Sequence, residues 1–155
     1  MRKAGLFCAC AATVALVAAG WSGAAGAQHT SKAATVQTRT IKGLGTVLVN
    51  ARGDTLYMFV PDHQKRVTCK GSCAAVWPPL KLKAGQKPTA GGSAKKSLLG
   101  TDKDPSGGSV VTYAHWPLYT YAGDTKPGQA GGQALNLNGG LWYVLSPTGA
   151  LIKKK

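Results

Sequence analysis

The chain has 155 residues and carries 19 Lys and Arg against 5 acidic residues, all of them Asp, for a formal net charge of +14. That length holds one domain with a real hydrophobic core but is too short for the two complete lobes of a clamshell ligand-binding protein. The positive excess favours attraction to anionic surfaces, yet the cations are spread from residue 32 to 155 without one dense stripe, which argues against specific nucleic-acid recognition.

Arg2 and Lys3 precede an apolar run over residues 6–19, and Ala25-Gly26-Ala27 offers small residues for cleavage. Residues 1–27 are therefore expected to be a cleavable signal, with the mature chain starting near Gln28 in an extracytoplasmic setting, periplasmic or secreted. The run is too short and too rich in Ala for a permanent span, so the mature chain is expected to have no transmembrane segment. Cys8 and Cys10 stand near the beginning of the run, whereas a lipid-attachment cysteine follows one; both are expected to leave with the signal. Past residue 27 the chain keeps 17 Lys and Arg against 5 Asp, a net +12. Residues 28–40 are polar and basic and read as a flexible leader, 41–152 as a β-rich domain, and 153–155 as a solvated basic tail.

Thr46-Val47-Leu48-Val49 and Asp54-Thr55-Leu56-Tyr57-Met58-Phe59 flank Asn50-Ala51-Arg52-Gly53, a hairpin pattern of β-branched and aromatic residues around a Gly-containing turn. Period-two geometry puts Leu56, Met58 and Val60 on one side of the second strand and Tyr57 and Phe59 on the other, so it should be covered on both faces or border a pocket. Pro61-Asp62-His63 then stops the strand, with Asp62 read as a turn cap or as a polar binding group. Cys69 and Cys73 are the only cysteines left after export, which makes a structural disulfide their simplest use. Their spacing is one residue longer than a redox C-x-x-C, and one pair supplies too few ligands for zinc. A short helical turn over Ala74-Ala75-Val76 is expected before Pro78 and Pro79, with Trp77 covering the core beside the disulfide.

Residues 81–103 are basic and rich in Gly and Ser, and read as a long connection with a short strand at 80–82 and an ordered segment around Ser97-Leu98-Leu99. Asp102-Lys103-Asp104-Pro105 reads as a turn, because its oxygen ligands are too few for a Ca²⁺ loop. A second hairpin follows, Ser109-Val110-Val111-Thr112-Tyr113 and Leu118-Tyr119-Thr120-Tyr121 around Ala114-His115-Trp116-Pro117. The glycine-rich stretch 124–133 lacks the Gly-Lys-Ser/Thr ending of a P-loop and reads as a turn. Leu135-Asn136-Leu137 and Leu141-Trp142-Tyr143-Val144-Leu145 are expected to close the core as strands.

Leu56-Tyr57-Met58-Phe59 with Asp62 recurs as Leu118-Tyr119-Thr120-Tyr121 with Asp124, at an offset of 62 that also matches Gly45 with Gly107, Leu48 with Val110 and Val49 with Val111. The fold class expected is mainly β, a compact antiparallel domain built from two related hairpin units. Tyr57, Phe59, Tyr119 and Tyr121 are the candidate recognition side chains, with Asp62 and Asp124 shaping a polar boundary; the alternative is that all four rings are buried core and both acids cap turns. Those two acids could act as a glycosidase-type pair only if both faced one cleft. No catalytic residue, metal site or cofactor is nominated, and the oligomeric state is left open.

The segments 45–62, 69–80 and 116–124, continued by Lys126-Pro127-Gly128 and Trp142-Tyr143-Val144, together resemble a bacterial secreted or lipoprotein repeat family marked by a Tyr-x-aromatic-x-x-Asp motif. The resemblance covers nearly the whole mature domain and implies an exported module; it nominates no reaction. The chain departs from the lipoprotein members in having no lipobox before the mature domain. The functional expectation is an extracytoplasmic binding or interaction module whose partner is unknown, with an anionic envelope component as the candidate. The alternatives are a structural or stress-related envelope protein and an enzyme acting on the envelope.

Overall fold

The computed structural model describes residues 35–63 and 66–154. The expected signal segment, its cysteines Cys8 and Cys10, and leader residues 28–34 lie outside the described residues. Among the described residues ten strands run in chain order as β1 (Val36–Ile41), β2 (Gly45–Asn50), β3 (Tyr57–Phe59), β4 (Lys81–Leu82), β5 (Leu99–Lys103), β6 (Ser109–Tyr113), β7 (Trp116–Pro117), β8 (Asn136–Leu137), β9 (Gly140–Leu145) and β10 (Leu151–Ile152). All paired strands among them are antiparallel, and one short helix, α1 (Ser72–Val76), follows the first motif. The fold is mainly β and carries two repeat units, as the duplicated motif predicts.

The units correspond strand for strand. β1 pairs with β2 so that Thr38 faces Leu48, and β5 pairs with β6 so that Thr101 faces Val111. Beyond the next turn, the Leu56 amide donates to the Leu48 carbonyl and the Leu118 amide to the Val111 carbonyl, each at 3.0 Å. Leu48 is thus the counterpart of Val111, not of Val110, and the alignment at a constant offset of 62 is one residue out ahead of the turn. The packing agrees: Leu48 and Val111 share one core cluster, while Val47, Val49 and Val110 share the other.

Different turns absorb that residue. In the first unit Asn50 Oδ1 accepts the amides of Arg52 and Asp54 at 2.9 and 3.0 Å, so an Asn side chain organises the longer loop. In the second, Ala114 and His115 both have positive φ, 49° and 71°, the backbone of the tightest hairpin turns, here without the usual Asn-Gly.

Two stretches read as irregular are strands. Residues 36–40, placed in the leader, belong to β1, and Val36 is fully buried. Residues 99–103, where a turn was expected over 102–105, form β5, and the turn begins at Asp104, which accepts the Ser106 amide at 2.8 Å. Both sequences are polar because each pairs along one edge of a better β-former, and ladder hydrogen bonds rather than apolar periodicity hold them. At the far end Lys153 and Lys154 are exposed, but Gln133 Nε2 donates to the carbonyls of Ile152 and Lys154 at 2.6 and 2.7 Å, so the basic tail is tied down through its backbone.

Cys69 and Cys73 form a disulfide with a Cα–Cα separation of 5.2 Å. Gly71, at φ 56°, turns the chain between them into α1, so the two sulfurs meet across a helix entrance rather than along a helix. Closing so short a loop contributes about 2 kcal/mol in the chain-entropy picture. The turn delivers Trp77, whose amide donates to the Cys73 carbonyl at 2.8 Å, straight into the core.

Candidate functional site

The two motif strands meet at their tyrosines. Tyr57 and Tyr119 exchange backbone hydrogen bonds, 2.8 Å from the Tyr57 amide and 2.9 Å from the Tyr119 amide. Outside this central pair each motif strand is flanked by a strand of the other repeat. β3 pairs with β9, setting Tyr57 against Val144, while Pro79 just before β4 bridges to Tyr119. The local order is therefore 79, 119, 57, 144, with the repeats interleaved.

Side chains repeat the exchange. The Tyr57 hydroxyl donates to Asp124 Oδ2 and the Tyr119 hydroxyl donates to Asp62 Oδ2, each at 2.6 Å. The first tyrosine of each motif thus reaches the aspartate of the opposite repeat. Asp62 Oδ1 also accepts the Thr68 amide and hydroxyl at 2.8 and 2.7 Å, and Asp124 Oδ1 accepts the Gly131 amide at 2.8 Å.

Between these contacts lies a four-ring stack. Trp77 and Trp142 are parallel within 3°, with centroids 3.8 Å apart. Phe59 stacks on the outer side of Trp142 at 4.1 Å and Tyr121 on the outer side of Trp77 at 4.4 Å. Tyr119 meets Trp142 edge-on at 5.3 Å and Tyr57 meets Trp77 edge-on at 5.5 Å. Gly132 closes over this group; a Cβ there would come within 2.8 Å of the Trp77 ring and 2.9 Å of the Tyr57 ring.

Structure brings all six sequence-nominated residues together but turns them inward. Tyr57, Phe59, Asp62 and Tyr119 are buried and present no face to a partner. Only Tyr121 and Asp124 reach solvent, both half-buried. The rings of Tyr57 and Tyr121 face Trp77 and those of Phe59 and Tyr119 face Trp142, so the first motif strand is covered on both faces, one of the two arrangements its alternation allows. Asp62 and Asp124 serve two separate tyrosines, and Asp62 has both oxygens occupied and no exposure, so the single cleft required of a carboxylate pair is not formed. Among the described residues, no three His, Cys, Asp or Glu side chains converge as a metal site, and no helix is long and apolar enough to cross a membrane.

The chain matches the family described as a secreted repeat of unknown function over residues 38–81 and again over 100–146, more than half its length. It belongs to that family. The first matched segment runs from β1 into β4 and the second from β5 past β9, so the matches coincide with the two interleaved secreted repeats. No curated protein and no solved structure matches the chain.

Burial sets the electrostatics of the secreted repeats' core. It pushes the Tyr57 and Tyr119 hydroxyls far above the ordinary phenol range, and their carboxylate partners push the same way. Burial also raises the Asp62 carboxyl, overcoming the hydrogen bonds from Tyr119 and Thr68 that favour its charged form.

Two outcomes follow from this geometry. Tyr119→Phe removes the donor to a fully buried carboxylate oxygen and is expected to destabilise the fold by roughly 1–3 kcal/mol. In a double-mutant cycle with Asp62→Ala the two losses should fall short of additivity, because both remove the same contact; additivity within about 0.5 kcal/mol in chemical denaturation contradicts the pairing. The second outcome concerns pH. Below about pH 4 the Asp62 carboxyl is protonated in both states, and as pH rises the unfolded chain releases the proton first, since the folded pKa is raised. The native protein is therefore expected to lose stability relative to Asp62→Asn as pH rises from about 4 toward neutrality. Parallel stability curves for the two proteins would contradict it.

Proposed function

We propose that this protein is an extracytoplasmic binding module that holds an anionic component of the cell envelope on its outer surface. Membership of a family of secreted repeats supports the compartment. The observation that carries the binding reading is the state of the surface charges. Of fourteen Lys and Arg among the described residues, Arg52 pairs with Asp54 at 2.9 Å and Lys81 with Asp104 at 2.6 Å, leaving twelve without an ion pair there. Asp62 is buried, Asp124 accepts from Tyr57 and Asp102 accepts only the Lys103 amide, so the three remaining acids form no ion pair with these cations among the described residues. A surface of this kind concentrates polyanions and steers their approach.

Retention of the signal-free protein on isolated bacterial cell walls tests this reading. Sedimentation with intact walls should fall steeply as salt rises from about 0.05 to 0.5 M, and walls chemically stripped of their anionic polymers should retain little protein. Equal retention on stripped walls, or retention indifferent to salt, would overturn it.

A further inference from the structure

Two open clefts lie beside the loop that leaves β4. One, about 510 Å³, lies between the Asn50–Arg52 corner of the first hairpin and β4, and its cations are Arg52, Lys81 and Lys83. The other, about 390 Å³, lies against β5, and its cations are Lys87 and Lys96. Gln86 lines both and forms their common wall. Arg52 and Lys81 are held by Asp54 and Asp104, but Lys83, Lys87 and Lys96 are exposed and have no ion pair among the described residues. Neither lining includes a carboxylate.

The linings carry no aromatic side chain either, because the rings of this domain are gathered around Trp77 and Trp142. Single-stranded nucleic acid is gripped by combining a basic groove with aromatic platforms for its bases, and only the first half of that arrangement is present here. Lysine ammonium groups in linings that include Leu82 in one cleft and Leu99 in the other suit a flexible chain with repeated point charges and no rings to stack.

We infer that the two clefts form one binding track for a linear phosphodiester polymer of the polyol-phosphate type, with Lys83, Lys87 and Lys96 as its phosphate contacts and Gln86 at its midpoint. This rests on the anionic-partner reading above and adds the site and the chemistry. The three cations come from both sides of the Gln86 wall, so successive phosphates of one strand would engage both clefts. Contacts of this type release counterions, and affinity should fall by about 0.7 logarithmic units per phosphate contact for each tenfold rise in salt.

The test uses the signal-free protein and polyglycerol phosphate of defined length in calorimetric or fluorescence titrations across a salt series. Lys83→Gln/Lys87→Gln/Lys96→Gln is compared with Lys126→Gln/Lys153→Gln/Lys154→Gln, which removes the same charge elsewhere, after thermal unfolding confirms that both fold. The cleft variant is expected to bind at least tenfold more weakly, with a salt slope smaller by about 2, while the control changes by less than threefold. Equal weakening of both variants would overturn the track and leave the anionic-partner reading standing. Equal or tighter binding of single-stranded DNA would overturn the polyol-phosphate assignment. If the unaltered protein binds neither polyglycerol phosphate nor stripped or intact walls, the underlying reading fails as well.

Discussion

The stacking of Trp77 on Trp142 is the contact on which the rest of the domain depends. Trp77 belongs to the first repeat and carries Tyr121 of the second on its outer face; Trp142 belongs to the second and carries Phe59 of the first. Each indole is therefore buried by the other repeat, and neither repeat can desolvate its own large aromatics alone. The Tyr57–Asp124 and Tyr119–Asp62 hydrogen bonds add direction to that nonpolar demand. A hydroxyl buried beside the stack must find an acceptor, and the acceptor is supplied from across the interface, which fixes the register between repeats as well as their attraction.

This arrangement changes what the shared motif means. A tyrosine, a second aromatic and an aspartate at fixed spacing resemble a recognition surface when read one strand at a time. In the folded chain they are the fastening between repeats, with the disulfide holding α1 so that Trp77 enters at the correct angle. The motif then specifies the scaffold, and the exposed loops with the cations they bear are where the proposed binding would reside. The clefts beside the β4 exit lie in such a region, between hairpins whose turns already differ in length and chemistry.

Much of the scaffold was legible in the sequence. The strand with apolar residues on both sides, Leu56 and Met58 against Tyr57 and Phe59, is covered on both faces by the two core clusters. The same holds for β9, where Trp142 and Val144 enter one cluster and Leu145 the other. β1 and β5 escaped because their polar residues form strands only in the company of β2 and β6; the clue was their equal distance from two recognised hairpins, not their composition. The one-residue difference between the turns was hidden by Val110-Val111, where either valine satisfies a local match to Leu48. For the site, residue identity was legible and orientation was not. Asp62 reads as a turn cap because it follows Pro61 where the strand stops, and it does accept from Thr68 nearby, but nothing local announces that Tyr119, 57 residues away, is its other partner.

Separating the repeats tests the interlock most directly. Two chains covering residues 28–84 and 85–155, divided in the exposed Ala84-Gly85 turn, can be prepared apart and then mixed under oxidising conditions. If each repeat completes the other's core, neither chain alone should unfold cooperatively or shield Trp77 or Trp142 from quenching, the latter followed with Trp116→Phe in place, and an equimolar mixture should regain both properties as a one-to-one complex. Cooperative unfolding of either chain alone, with Trp77 or Trp142 already shielded, would contradict the account.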